Sequence, residues 1–149
     1  METRIKNQIK LSILSINENV GFARAAAAAF AAQNELTLSD IDEIKVAVSE
    51  AVSNAVIHGY GGEDNPENNY IELTMILYSD KIEFTIIDYG RGIANIEEAR
   101  QPSFSSDPER MGLGFVFMES FMDELEVKSE LKQGTTVRMA RSLAPVTEH

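Results

Sequence analysis

Glu50 and Asn54 stand four residues apart in a segment with strong helical periodicity. A carboxylate and an amide with this spacing project side by side from one face of a helix. On its own, such a pair is most often part of a solvated helix surface. Its chemical meaning therefore depends on the motifs that accompany it.

A glycine-rich turn, Asp88-Tyr89-Gly90-Arg91-Gly92, directly follows a predicted strand. An aspartate at the end of a strand can hold its carboxylate towards a pocket, and paired glycines allow the backbone to approach a ligand. Asp and Gly are also ordinary turn residues. The motif alone therefore permits a ligand site without requiring one.

Two further glycine motifs lie downstream. Gly112-Leu113-Gly114 begins a predicted helix, where free backbone N–H groups form a ready site for phosphate. Gly134-Thr135-Thr136 begins the last predicted strand, and by itself it indicates only a turn followed by β-branched strand residues.

The periodicity of apolar residues predicts the elements that position these motifs. In chain order they are a strand (5–15), a helix capped by Asn19 (19–33), a helix begun by Ser39 with Asp42 (39–58), hairpin strands (71–77 and 82–86), a short helix (96–100), a surface loop (101–111), a helix (112–122) and two closing strands (125–131 and 135–141). Residues 39–58 are apolar on two sides, which predicts a helix sandwiched between layers. The order predicts an α+β two-layer sandwich, with helices on one face of a mixed, mostly antiparallel sheet.

Composition limits the class of protein. The 149 residues, with a net charge of −11 and no cysteine, predict one domain over 1–149 with a frayed tail from 143. Because phosphate backbones would be repelled, nucleic acid is not an expected partner. The acidity either steers a basic protein partner or only keeps the chain soluble. No signal peptide or membrane span is evident, so we expect a cytoplasmic protein.

The order of the motifs carries more information than any one of them. A helix with E-x-x-x-N, then D-x-G-x-G after a strand, then G-x-G at a helix and G-T-T at a strand resembles the GHKL, or Bergerat, ATP-binding fold. That superfamily includes type II topoisomerase ATPases, heat-shock protein 90 chaperones, histidine kinases and MutL-type repair proteins. Neither a Walker motif nor the protein-kinase catalytic motifs are present.

A narrower resemblance covers the chain from about Leu11 to Thr136. It resembles the sporulation anti-sigma F factors, a family of serine kinases that act on a small anti-anti-sigma protein. The segments that carry this resemblance are 22–24, 28–30, 49–60, 97–102 and 111–123.

The resemblance implies a role for each matching residue. Asp88 would accept a hydrogen bond from the adenine amino group, Asn54 would hold Mg²⁺, and Glu50 would be the general base for a substrate serine. The other implied nucleotide contacts are Gly90, Gly92, Arg110, Gly112, Gly114 and Thr135. The loop before Met111 is about two residues shorter than in that family, so contacts from Asp107 and Met111 stay open.

The resemblance also implies the partners. A homodimer would bind and inhibit a sigma factor of the sigma F type, with Arg24 in the interface, and would use Mg·ATP to phosphorylate a serine of a STAS-type antagonist. The alternatives are a stress-response kinase-type anti-sigma factor, an ATP hydrolase in which Glu50 activates water, and a nucleotide-dependent binding module without catalysis. His58, at the end of its helix, is expected to be structural.

Overall fold

The computed structural model describes residues 4–60, 69–93 and 111–143. Its elements are β1 (Ile5–Leu14), α1 (Glu18–Ala31), α2 (Leu38–Asn54), a π-helical turn (Ala55–Gly59), β2 (Tyr70–Tyr78), β3 (Lys81–Asp88), α3 (Met111–Phe121), β4 (Glu124–Glu130) and β5 (Gly134–Ser142). The predicted short helix at 96–100, the loop at 101–110 and the tail beyond 143 lie outside the described residues. Within the described ranges no helix is long and apolar enough to cross a membrane.

The five strands form one sheet in the order β1-β2-β3-β5-β4. All four pairings between these strands are antiparallel, so no parallel pair of a mixed sheet occurs among them. The β4–β5 hairpin returns β5 alongside β3, which places the last strand inside the sheet and leaves β4 at its edge. The predicted α+β class is confirmed.

One face of the sheet is buried under the helices. Alternate residues of the central strands point to this face and are almost fully buried, among them Leu73, Met75, Phe84, Ile86 and Met139. Alternation of this kind is expected for a sheet that is covered on one side only. The opposite face carries polar and partly exposed side chains.

Helix α2 lies between α1 and α3. Its apolar positions Ile44, Val48 and Ala51 are fully or almost fully buried, as its periodicity predicts. The second apolar side is covered only in part, since Val46 remains 36% exposed. The helix that carries Glu50 and Asn54 is therefore held by neighbours on both flanks.

The cap predicted for α2 was wrong by two residues. Thr37 caps the helix, because its Oγ1 accepts a hydrogen bond from Asp40 N (3.0 Å) and its own N donates to Asp40 Oδ2 (3.1 Å). Ser39 with Asp42 has the same three-residue spacing, so the sequence contains two overlapping cap signals. A distant residue supports the first of them, since Arg141 Nη2 donates to Asp40 Oδ1 (2.7 Å).

The cap predicted for α1 was also wrong. The helix begins at Glu18, and Asn19 lies inside its first turn, where Nδ2 donates to the carbonyl of Leu14 (3.0 Å). Three alanines of α1, Ala23, Ala27 and Ala31, lie in the core with no measurable exposure. Small side chains at these positions let α1 pack closely on its neighbours.

Gly21 offers a test of local helix energetics. It lies in the early part of α1, and a Cβ built on it meets no atom within 4 Å. We expect Gly21→Ala to raise the free energy of unfolding by about 0.5–1 kcal/mol, because alanine loses less backbone freedom in a helix. Urea unfolding measures the change. The control is Gly59→Ala, whose Cβ would lie 2.7 Å from Asp88 Cγ and should destabilise the protein. A destabilised Gly21→Ala variant would contradict this account of α1.

Candidate functional site

Asp88 ends β3 on the buried face of the sheet. It pairs in register with Thr135 of β5, and only 5% of the residue is exposed. Its Oδ1 accepts a hydrogen bond from the backbone N of Gly90 (2.9 Å). Burial raises the pKa of the Asp88 carboxyl, and the backbone N–H groups of Gly90 and Thr135 partly oppose that shift. A buried carboxylate held at the end of a strand is a fixed hydrogen-bond acceptor.

Two glycines lie so close to Asp88, one to its carboxylate and one to its backbone carbonyl, that neither position has room for a side chain. A Cβ on Gly59 would lie 2.7–2.9 Å from the carboxylate atoms of Asp88. Gly134 has a φ of +115°, and a Cβ there would collide with the carbonyl oxygen of Asp88. In the sequence, Gly59 is simply the residue that follows the predicted helix 39–58. Its contact with Asp88 depends on two elements far apart in the chain, so no local signal reveals it.

Gly90 and Gly92 meet protein backbone. A Cβ on Gly90 would collide with the carbonyl of Gly59, and one on Gly92, whose φ is +80°, would collide with the carbonyl of Glu130. By resemblance, both glycines were expected to contact a nucleotide. The structure gives each glycine a packing reason that is independent of any ligand, while their contact with a nucleotide stays a prediction.

Thr135 is buried beside Asp88, and its Oγ1 lies 2.8 Å from Ser129 Oγ. Ser129 also accepts a hydrogen bond from the N of Ile93 (2.7 Å) and donates to the carbonyl of Gly134 (3.1 Å). This small network joins the turn after β3 to the β4–β5 hairpin. Sequence reasoning missed Ser129, because a serine in a strand carries no signal of its own.

Glu50, Asn54 and Gly114 form the second part of the site. Gly114 is buried in α3, and a Cβ built on it would lie 3.0 Å from Glu50 Oε1 and 3.2 Å from Asn54 Nδ2. Gly114 therefore lies directly against the carboxylate and amide of α2. Asn54 Nδ2 is buried and has no hydrogen-bond partner among the described residues.

The motif Gly112-Leu113-Gly114 is helical in the structure. Helix α3 begins at Met111, one residue before the predicted start, so Gly112 and Gly114 both lie in its first turn. The first backbone N–H groups of a helix have no intrahelical acceptor, and they can bind an anion. Arg110 lies outside the described residues.

The two parts of the site are joined through the end of α2. Gly59, five residues beyond Asn54, contacts the carboxylate of Asp88. The chain segment that follows Glu50 and Asn54 therefore lies directly against the buried carboxylate of Asp88. Arg24 is not part of this site, since it lies on the exposed side of α1.

The donor set of the site can be compared with the needs of a divalent cation. No cluster of three or more His, Cys, Asp or Glu side chains suited to a metal occurs in the described part of the chain. Asn54 and Glu50 nevertheless offer adjacent oxygen donors. Mg²⁺ commonly takes one or two protein oxygens and completes its shell with water and substrate phosphates. The residues present therefore fit a magnesium ion that arrives with a nucleotide.

A protein family and several curated proteins are similar to this chain over most of its length. A family model described as a histidine kinase-like ATPase domain matches residues 15–141. Curated proteins named anti-sigma F factor are similar over nearly the whole chain. The one from Anoxybacillus flavithermus is 43% identical over 93% of this chain and 94% of its own length. The one from Oceanobacillus iheyensis is 46% identical over 94% of this chain and 95% of its own.

Solved structures share the fold at lower identity. A structure of the RsbU and RsbW domains of a Mycobacterium tuberculosis protein aligns with a TM-score of 0.67 at 21% identity, over 94% of this chain and 34% of that one. The histidine kinase domain of an Erythrobacter litoralis blue-light activated kinase aligns with a TM-score of 0.55 at 16% identity, over 83% of this chain and 59% of that one.

The chain belongs to the histidine kinase-like ATPase family and, within it, to the anti-sigma F factors. The domain is one that binds ATP, and its presence indicates an ATP-using, kinase-like activity in general.

Proposed function

We propose that the chain binds and inhibits a sigma factor and uses Mg·ATP to phosphorylate a serine of its anti-anti-sigma antagonist. The observation that carries the proposal is the contact of Gly114 with Glu50 and Asn54. This contact supports the proposal because the first turn of a helix can bind phosphate, a carboxylate can act as a base and an amide oxygen can bind a cation. The name anti-sigma F factor, carried by relatives that match nearly the whole chain, supports a sigma factor as partner.

The adenine end of the proposed nucleotide site is Asp88. Its buried carboxylate is a fixed acceptor, and the adenine amino group is a donor. Guanine presents a carbonyl at the equivalent position, which would place two acceptors face to face. The geometry therefore favours adenine over guanine, with Thr135 beside the same acceptor.

Glu50 is the proposed general base. In the proposed step the serine oxygen attacks the γ-phosphorus, and the bond from that phosphorus to the bridging oxygen of ADP breaks. The serine proton passes to the Glu50 carboxylate, and ADP leaves with the electron pair of the broken bond. Packing against Gly114 restricts where the Glu50 side chain can point, which preserves its position for this transfer.

Asn54 is proposed to hold the magnesium ion through its side-chain oxygen. When bound, Mg²⁺ would neutralise charge on the phosphates. The Asn54 Nδ2 group, buried without a partner among the described residues, is available to a phosphate oxygen or a water of the same assembly. From the resemblance we also propose a cytoplasmic homodimer.

The direct test is incubation of the purified chain with radiolabelled ATP and a purified STAS-type antagonist. We expect label on one serine of the antagonist and none on a variant whose serine is alanine. Release of labelled phosphate without labelled protein would instead favour the ATP hydrolase. Nucleotide-dependent sigma binding with no phosphotransfer would favour the binding module.

Arg24→Glu tests the sigma interface. Arg24 is exposed on α1, away from the nucleotide site, so its reversal should leave ATP binding unchanged. If the arginine pairs with a carboxylate at the centre of the interface, we expect sigma binding to weaken by about 2–5 kcal/mol. A pull-down titration at saturating ATP and moderate salt measures the change.

The matched control is Arg4→Glu, which makes the same charge reversal at an exposed residue before β1. Its sigma affinity should stay near that of the wild type. Wild-type affinity of Arg24→Glu would place Arg24 outside the interface. Loss of ATP binding in that variant would show damage to the fold.

A further inference from the structure

The helix that carries Glu50 and Asn54 changes its winding before it ends. Residues Ala55–Gly59 form a π-helical turn, in which the N of Tyr60 donates to the carbonyl of Ala55 (3.2 Å). Single π-turns inside or at the end of α-helices frequently occur at functional sites, because they redirect backbone groups. Here the redirected groups are the carbonyls of His58 and Gly59.

Both carbonyls are bound by Arg91, in the turn that follows Asp88. The backbone N of Arg91 donates to the carbonyl of Gly59 (2.8 Å), and Arg91 Nε donates to the carbonyl of His58 (2.6 Å). The carbonyl of Arg91 in turn accepts from the N of Lys132 in the β4–β5 hairpin (2.8 Å). Arg91 therefore ties the end of the helix to the turn and the hairpin.

Tyr60, the next residue after the π-helical turn, makes a second tie. Its hydroxyl donates to the carbonyl of Tyr70 (2.6 Å) and accepts from the backbone N of Tyr89 (2.9 Å). The residue is only 8% exposed, so water cannot readily replace these bonds. The Tyr89 N–H belongs to the peptide group that directly follows Asp88, and its orientation limits where the Asp88 backbone can lie.

We propose that Tyr60 and Arg91 are positioning residues that lock the turn after β3 onto the end of α2, and so couple the adenine end of the site to its phosphate end. The proposal rests on the proposed nucleotide function and extends it. Neither residue needs to touch the nucleotide. We call the hydrogen bonds made by Tyr60 and Arg91 the latch. The latch holds the Asp88 carboxylate at a constant distance and angle from the helix that carries Glu50 and Asn54.

The physical consequence concerns selectivity as well as affinity. A fixed carboxylate rejects guanine because it cannot turn away from the opposing carbonyl. If the peptide after Asp88 is freed, the carboxylate can tilt, so the bond to adenine weakens and the repulsion of guanine is relieved. Loss of the latch should therefore raise the Kd for ATP and lower the ratio of the GTP Kd to the ATP Kd. A loss of protein stability alone would not change that ratio.

The experiment compares Tyr60→Phe with the wild type and with Tyr78→Phe. Tyr78 makes the matched change at the far end of β2, where its ring lies 5.5 Å from Lys81 Nζ. Amide hydrogen exchange of the nucleotide-free proteins reports on the Tyr89 N–H, and calorimetry at a temperature well below unfolding gives the Kd for ATP and for GTP. Arg91→Met, at an exposed residue, removes the bond to His58 without opening the core.

We expect faster exchange at Tyr89 in Tyr60→Phe, an ATP Kd raised about tenfold, and a smaller ratio of GTP Kd to ATP Kd. Arg91→Met should change the Kd values in the same direction and Tyr78→Phe should change none of them. Unchanged ATP affinity and discrimination in a folded Tyr60→Phe would overturn the proposal. If Tyr60→Phe does not fold, unchanged values in Arg91→Met would overturn it. A wild type that binds no adenine nucleotide would refute the proposed function itself.

Discussion

Glu50→Gln should lower the rate of phosphotransfer to the antagonist by about 10²–10⁴-fold, the usual contribution of a positioned general base. Glutamine has nearly the same shape as glutamate, so the close packing of Gly114 on this side chain should be preserved. The amide cannot take the serine proton. ATP binding should therefore persist while the chemical step fails, and single-turnover transfer from radiolabelled ATP separates the two.

A matched change elsewhere in the chain controls for the loss of one negative charge. Glu35 is exposed in the connection between α1 and α2, so Glu35→Gln should transfer phosphate at the wild-type rate. Transfer by Glu50→Gln at more than about a tenth of the wild-type rate would show that Glu50 is only a structural neighbour of Gly114.

The second large effect is expected from Asp88→Asn. An amide turned towards the adenine amino group would present a donor to a donor, and a charged hydrogen bond would be lost. Together these should weaken ATP binding by about 2–4 kcal/mol. Calorimetric titration measures the change. Asp42→Asn, in an exposed pair with Lys45, is the control and should bind ATP normally.

Asp88→Asn should also leave the nucleotide-free protein at least as stable as the wild type. Burial raises the pKa of this carboxyl, so its charge opposes folding at neutral pH. That opposition is present above the raised pKa and disappears as the pH falls through it, because the folded state then holds the proton. Any increase in Tm of the variant over the wild type should accordingly become smaller in acid.

A near-wild-type affinity of Asp88→Asn for ATP would refute the adenine role of Asp88.

Most of the secondary structure could be predicted from local pattern. The alternation of apolar residues in Ile71–Leu77 and Ile82–Ile86 reappears as the buried faces of β2 and β3. The spacing of Ile44, Val48 and Ala51 likewise predicted the buried side of α2. These signals are reliable because burial repeats with the period of the element itself.

The helix caps show where local pattern fails. Thr37 and Ser39 each precede an aspartate by three residues, and nothing nearby distinguishes them. Arg141, about a hundred positions away, binds Asp40, and its Nη1 also binds Glu43 and the carbonyl of Phe121. The ion pair between Arg141 and Asp40 is a tertiary contact, and it stabilises the cap at Thr37 over the one at Ser39.

The order and types of the motif residues were sufficient to predict the nucleotide-binding class, since Glu50, Asn54, Asp88 and Gly114 stand in the sequence without any knowledge of their contacts. Only the tertiary structure showed that Gly59 lies against Asp88, that the N of Tyr89 donates to the Tyr60 hydroxyl and that Arg91 binds the carbonyl of His58. A motif shows only which side chains could contact a ligand. How closely two backbones approach, and which groups bind the end of a helix, depend on where separate elements contact each other. No local sequence pattern predicts those contacts.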